Sequence, residues 1–104
     1  MGDGPANRFA LSGVLSALQP LRYTPAGIPV VEFRLKHESE QHEAGSPRKV
    51  EVEVDAVAFE AQAQLLSGSP LGRPLRAEGF LSAKSRRSAK PVLHVTNIEF
   101  VEGH

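Results

Sequence analysis

The side chains best equipped for chemistry in this chain are Lys84, Arg86, Arg87 and Lys90, gathered in the run Lys84-Ser85-Arg86-Arg87-Ser88-Ala89-Lys90. These are four of the twelve Lys and Arg residues, with no acid among them, in a molecule whose formal net charge is zero. Charge concentrated in this way is what a polyanion would find, and the neutrality of the whole argues against a protein that coats nucleic acid through bulk charge. A solvated hairpin tip would look the same, because charged loops are common and short basic tracts are weak motifs. The surroundings of the loop must decide.

The other candidates for chemistry are His37, His42 and His94. His37 falls on the apolar side of a strand, where a hydrogen-bonded core or rim histidine is expected. His42 stands among Glu40 and Glu43, but nothing in that polar stretch fixes a ligand geometry or an outer shell. No nucleophile elbow and no phosphate loop occurs, and with no Cys there are neither disulfides nor thiolate metal sites. The expectation is a protein that is not an enzyme and uses no cofactor and no metal.

The elements that hold these residues follow from length and pattern. At 104 residues the chain is read as one domain spanning 1–104, with 1–6 as a flexible lead. No apolar run approaches ~18 residues, so no membrane contact is expected. Met1-Gly2-Asp3-Gly4-Pro5 lacks the features of a secretory signal, and Ala6 spoils a myristoylation motif. A cytoplasmic location is expected.

Arg8–Leu15 reads as a first strand, with Gly13 marking a bulge or sharp bend. A turn rich in breakers, Tyr23–Pro29, follows. From Val30 to His37, Val31, Phe33, Leu35 and His37 share one face, and Glu32, Arg34 and Lys36 the other. Glu38–Pro47 reads as a polar loop of ten residues. Lys49–Val57 alternates strictly, predicting Val50, Val52 and Val54 buried and Lys49, Glu51, Glu53 and Asp55 wet. Ala58–Leu66 has helix formers with Phe59, Ala63 and Leu66 three and four apart, and Ser67-Gly68-Ser69-Pro70 stops it. Leu75–Ala83, containing Gly79, and Val92–Val101 supply the last two strands.

Three strands, a short helix and two more strands predict an all-β fold. Specifically, they predict a five-stranded OB-fold Greek-key barrel with one short helix between strands three and four. Another small β-sandwich or barrel is the rival. In an OB-fold, oligonucleotides cross strands two and three between the loop joining strands one and two and the loop joining four and five. That geometry nominates Arg22, Arg34, Lys36, Arg48, Lys49, Lys84, Arg86, Arg87 and Lys90 as nucleic-acid-binding residues, with Tyr23 as the one nearby aromatic. The outward set of strands two and three (Val30, Glu32, Arg34, Lys36, Lys49, Glu51, Glu53, Asp55) contains acids and no aromatic. Binding should therefore be weak, dominated by phosphate contacts and steeply salt-sensitive.

Several segments in order resemble the primosomal replication protein N (PriB) family. They are Asn7-Arg8-Phe9-Ala10-Leu11-Ser12-Gly13, Pro25-Ala26-Gly27-Ile28-Pro29, Phe33-Arg34-Leu35-Lys36-His37, Glu43-Ala44-Gly45 with Arg48, Gly79-Phe80-Leu81-Ser82, and Val92-Leu93-His94 with Ile98-Glu99. The resemblance runs nearly end to end and is weakest from about Glu51 to Leu75. It implies a bacterial, nucleoid-associated OB-fold homodimer that binds single-stranded DNA, stimulates the PriA helicase and helps assemble the primosome during replication restart. It also implies that Lys90, Lys84, Arg86, Arg87, Arg22 and Arg48 match basic family positions. Two aromatic stacking positions of the family fall at Ser46 and Glu51, and a basic one at Glu38, so those contacts are missing. The alternatives are a general single-stranded DNA-binding protein and an OB-fold protein-interaction module without significant DNA binding. The ending Phe100-Val101-Glu102-Gly103-His104 lacks the acidic-tipped tail expected of the former.

Overall fold

The computed structural model describes residues 4–101. Of the expected flexible lead, residues 1–3 lie outside that range, and residues 4–6 are exposed and belong to no strand or helix. The elements in order are β1 (Phe9–Leu18), β2 (Arg22–Tyr23), β3 (Pro29–Glu43), β4 (Ser46–Phe59), α1 (Glu60–Leu66), β5 (Pro74–Ala83) and β6 (Pro91–Phe100). They hydrogen-bond in the order β1-β5-β6-β4-β3-β2, and β1 also pairs with β3, which closes five strands into a barrel. This is the OB-fold barrel, its short helix between the third and fourth barrel strands. β2 adds only Arg22 and Tyr23 to the margin of β3.

Alternation builds the interior. Val31, Phe33 and Leu35 of β3 meet Ala56 and Ala58 of β4, Leu75 and Ala77 of β5, and Leu93 and Val95 of β6 in one cluster. Ala63 and Leu66 of α1 enter that cluster, so the helix covers one end of the barrel. Removing a fully buried leucine such as Leu93 costs about 2–5 kcal/mol, because the lost transfer energy is joined by a cavity that neighbours fill incompletely.

Both mid-strand glycines sit where the barrel bends. At Gly13–Val14, β1 passes from pairing with β5 to pairing with β3, and a Cβ on Gly13 would collide with the Lys36 carbonyl. Gly79 lies at the bulge of the β5–β6 ladder, with its missing Cβ aimed at the His94 carbonyl. Only a residue without a side chain lets two backbones approach so closely.

Three expectations from the sequence need correction. Glu38–Pro47 is not a loop. The β3–β4 ladder continues unbroken from Val30–Phe59 to Glu43–Ser46, and the chain reverses in two residues, Ala44 at φ 54° and Gly45 at φ 79°. Two successive positive φ values match the twist of a tight hairpin, so the ladder never has to open. The resulting arm projects past the barrel, and its valines lose the predicted cover: Val54 is half-buried, but Val52 is 42% exposed. The helix begins at Glu60 rather than Ala58. Glu60 takes the left-handed φ of 57°, which turns the chain sharply and leaves Phe59 behind as the last residue of β4.

His37 is the hydrogen-bonded rim histidine its position suggested. Its Nδ1–H donates to the Ser12 carbonyl at 2.6 Å, and the Ser39 hydroxyl donates to Nε2 at 2.7 Å. Gln41 in turn donates to Ser39 Oγ at 2.9 Å. In this chain the carbonyl fixes the tautomer, because it can only accept.

Candidate nucleic-acid interface

The outer face of the barrel is laid out by the β3–β4 register. Val30 stands opposite Phe59, Glu32 opposite Val57, Arg34 opposite Asp55 and Lys36 opposite Glu53. One edge of this face is bordered by the Thr24–Ile28 turn. The Thr24 amide donates to the Ile28 carbonyl, and the Ile28 amide donates to Thr24 Oγ1. The other edge is the loop between β5 and β6. Between them lies an open groove of about 490 Å³, whose charged lining is Arg22, Glu32, Arg34, Asp55 and Lys84. The structure thus brings Arg22, Arg34 and Lys84 to one groove and adds Lys90 through Asp55. Arg48 and Lys49 stand apart, on the arm.

Ion pairing divides the candidate cations more sharply than position does. Arg22 meets Glu32 at 2.8 Å, Lys36 meets Glu38 at 3.8 Å, Arg48 meets Glu43 at 2.7 Å and Lys49 meets Glu51 at 3.3 Å. Asp55 takes two cations at once, Lys90 at 2.8 Å and Arg34 at 3.0 Å. The Lys90 and Arg34 hydrogen bonds hold its carboxyl below the ordinary carboxylate range, and Asp55 raises the Arg34 guanidinium in return. Exposed pairs of this kind contribute at most about 1 kcal/mol each to stability. Their larger effect is on local charge, since each paired carboxylate offsets the attraction its cation would exert on an anion.

Lys84, Arg86 and Arg87 differ: none of them pairs with a carboxylate among the described residues. Their loop is nonetheless ordered by its serines. The Lys84 amide donates to the Lys90 carbonyl at 2.9 Å, and Ser85 and Ser88 exchange amide–carbonyl bonds at 3.3 Å. Ser85 Oγ also accepts from the amides of Arg87 and Ser88. Hydroxyl-to-backbone bonds of this type stabilise tight turns. Arg86 and Arg87 are left exposed at the corner.

The sequence reasoning missed the aromatics of this face. Phe59, assigned to the helix, is a sheet residue lining the groove, and His94 of β6 lines it too. His94 stacks between Phe59, at a centroid distance of 6.3 Å, and Phe80 of β5, at 5.1 Å. The only available signal was the parity that Phe59 shares with Asp55 and Val57, and helix-forming neighbours obscured it. Tyr23, the one aromatic expected near this face, is 61% exposed but does not line the groove.

A family model described as another single-strand binding protein family matches residues 7–97. Replication restart protein PriB of Bordetella pertussis is 40% identical over 97 residues, covering 93% of this chain and 91% of its own length. Replication restart protein PriB of Neisseria gonorrhoeae is 41% identical over 100 residues, covering 96% and 99%. The solved structure of PriB from Ralstonia solanacearum superposes with a TM-score of 0.83 at 31% identity, covering 94% of this chain and all of the other.

Proposed function

Because the chain belongs to the single-strand binding protein family that includes replication restart protein PriB, we propose that it is a replication-restart accessory protein of the primosome. It binds single-stranded DNA weakly and stimulates the PriA helicase at stalled forks, without catalysing a reaction itself. The observation that carries this reading is the clustering of three cations with no carboxylate partner among the described residues, Lys84, Arg86 and Arg87, on one hydrogen-bonded loop at the edge of the groove. Single-strand binders pair such a cationic rim with an open β-face. Arg22, Arg34, Lys36, Arg48, Lys49 and Lys90 join the DNA contact only as their carboxylate partners are displaced, which keeps affinity low and salt-sensitive.

The protein acts as a single-domain homodimer in the bacterial cytoplasm, at the nucleoid. Support for the dimer comes from the Phe9–Leu11 part of β1, which pairs with β5 on one side and leaves its other edge open, because the β3 ladder begins at Val14 and His37 of β3 reaches only as far as the Ser12 carbonyl. An open edge is a template for pairing with a second chain. Among the described residues no helix is long and apolar enough to cross a membrane.

The test is fluorescence anisotropy of labelled oligo-dT over a salt series, with wild type beside K84A/R86A/R87A/K90A, followed by a PriA stimulation assay on the same proteins. The expected result is weak, steeply salt-dependent binding that the variant largely loses together with stimulation. Strong binding indifferent to salt would contradict the phosphate-dominated account. DNA binding retained with stimulation lost would assign the loop to the helicase, and retention of both would remove it from the mechanism.

A further inference from the structure

Beyond the barrel, the β3–β4 arm leaves the far edge of β4 without a neighbour. β4 pairs with β3 from end to end but with β6 only at Ala56–Ala58. Hydrogen bonds from outside the ladder show which residues turn their backbone groups away from it. On β3 the Glu32 carbonyl accepts from the Gln19 amide at 2.9 Å, and the Arg34 carbonyl from Ser16 Oγ at 3.3 Å. Their partners across the ladder are Val57 and Asp55, so by the alternation of an antiparallel pair Lys49, Glu51 and Glu53 also turn N–H and C=O toward the open edge. Pro47 has the same parity, the one at which a missing N–H costs the ladder nothing. Among the described residues no backbone group bonds to Lys49, Glu51 or Glu53 across that edge. Nor does β6 reach over it, since β6 begins at Pro91 and the preceding Lys90 is tied to Asp55 at 2.8 Å. The two faces beside the edge differ in kind. Val50 and the exposed Val52 lie on one. The other carries Glu38, Glu40, Glu51 and Glu53 against Lys36 and Lys49. There Glu38 stands directly opposite Glu51, an arrangement that costs stability, and Glu40 and Glu53 pair with no cation among the described residues.

We propose that the edge of β4 from Arg48 to Glu53 takes an extended segment of a partner protein as an added strand, one that alternates basic with small apolar residues. Main-chain bonds to Lys49, Glu51 and Glu53 provide the attachment, and alternate side chains provide the choice of partner. On one face the segment's Lys or Arg residues stand beside Glu51 and Glu53. On the other its apolar residues cover Val50 and Val52. The excess of carboxylates selects a basic segment over an acidic one, and also over a purely apolar strand, which would leave those acids uncompensated. Charged side chains along the edge hold off indiscriminate pairing. This surface is separate from the basic loop and its DNA contact. The acids that make the arm a poor track for phosphate are what fit it to a cationic strand.

The probe is a synthetic seven-residue peptide alternating Lys and Val, beside its N-methylated counterpart and a peptide alternating Glu and Val. Amide hydrogen exchange of the full chain is followed by NMR with and without saturating peptide. The Lys–Val peptide should slow exchange about tenfold or more at Lys49, Glu51 and Glu53, and less at Val50 and Val52, whose amides already bond to β3. E51P removes one edge donor at the parity Pro47 already occupies, so it should keep its melting temperature and bind the peptide about tenfold more weakly. E51K/E53K leaves the backbone edge intact and should exchange preference, losing the Lys–Val peptide and gaining the Glu–Val one. Failure of wild type to bind the Lys–Val peptide overturns the proposal. Binding without protection of the three amides, or equal binding of the N-methylated peptide, reduces the contact to surface charge and overturns it as well. So does undiminished binding by folded E51P or an unchanged preference in E51K/E53K. A lower sedimentation coefficient of peptide-free E51P assigns the edge to contact between copies of this chain and likewise overturns it.

Discussion

The β3–β4 arm and the β5–β6 loop are both hairpin ends crowded with basic residues, and they use them in opposite ways. On the arm Arg48 and Lys49, and at its base Lys36, each lie within salt-bridge distance of a glutamate. At the tip of the loop, Lys84, Arg86 and Arg87 have no such partner among the described residues. The difference comes from backbone pattern. A long two-stranded ribbon lines up side chains along and across its strands, so alternating Lys and Glu neutralise one another. A tight turn closed by Ser85 and Ser88 has no facing strand to supply a carboxylate, and its arginines pair with none among the described residues. Counting cations therefore says little about where a polyanion binds. Counting those without a carboxylate says more.

Lys90 and Asp55 stand on the boundary between the two regimes. Lys90 belongs to the loop by sequence but is tied to the sheet through Asp55, which also holds Arg34.

The comparison can be broken or sharpened by moving charge between its two sides. The largest effect should come from charge reversal at the tip: R86E/R87E should weaken oligo-dT binding at low salt by about 100-fold or more, since it removes two phosphate contacts and adds repulsion. Binding within threefold of wild type would end the tip's special role. Next, D55N frees Arg34 and Lys90 together and should tighten binding about three- to tenfold in anisotropy titrations. Unchanged binding would mean that these pairs do not compete with DNA. On the arm, E43Q/E51Q frees Arg48 and Lys49 far from the groove and should tighten binding by less than about threefold, a bound that anisotropy can exceed if the arm also carries DNA.

The smallest effect is on stability. Asp55 has a folded-state pKa below its ordinary 3.8, so its contribution is complete above that value and disappears as pH falls through the depressed folded value. D55N should accordingly cost about 1 kcal/mol or less near neutrality and flatten the acid limb of a urea-melt pH series. A D55N penalty that persists at pH 2 would point to a different cause.

How much of this was readable from residues alone follows the same division between local and long-range order. The core strands were legible because Val31-x-Phe33-x-Leu35 alternates against water. Gly13 and Gly79 likewise announced bends that the barrel needs. The outer part of the arm, Glu38–Pro47, was not legible, because both its faces are polar and no apolar period marks a strand exposed on two sides. Its turn was disguised as well, since Ala44 occupies a left-handed position where Asn or Gly is the usual signal. Phe59 was lost to local helix propensity, which the left-handed Glu60 overrides. Among the site residues, the basic loop was visible as a run, but the free and paired states were not. The Lys90–Asp55 pair and the Phe59–His94–Phe80 row depend on cross-strand register, including a parallel β4–β6 pairing that leaves no trace in either segment.

The most direct test of the central claim sets the two regions against each other in one assay. The dependence of log Kd for oligo-dT on log salt concentration is measured for wild type, K36A/R48A/K49A and K84A/R86A/R87A. With each phosphate contact to a single strand contributing about 0.7 to the slope, the loop variant should lose about 2 from it, and the arm variant less than about 0.7. An arm variant that loses as much slope as the loop variant, or more, would contradict the account.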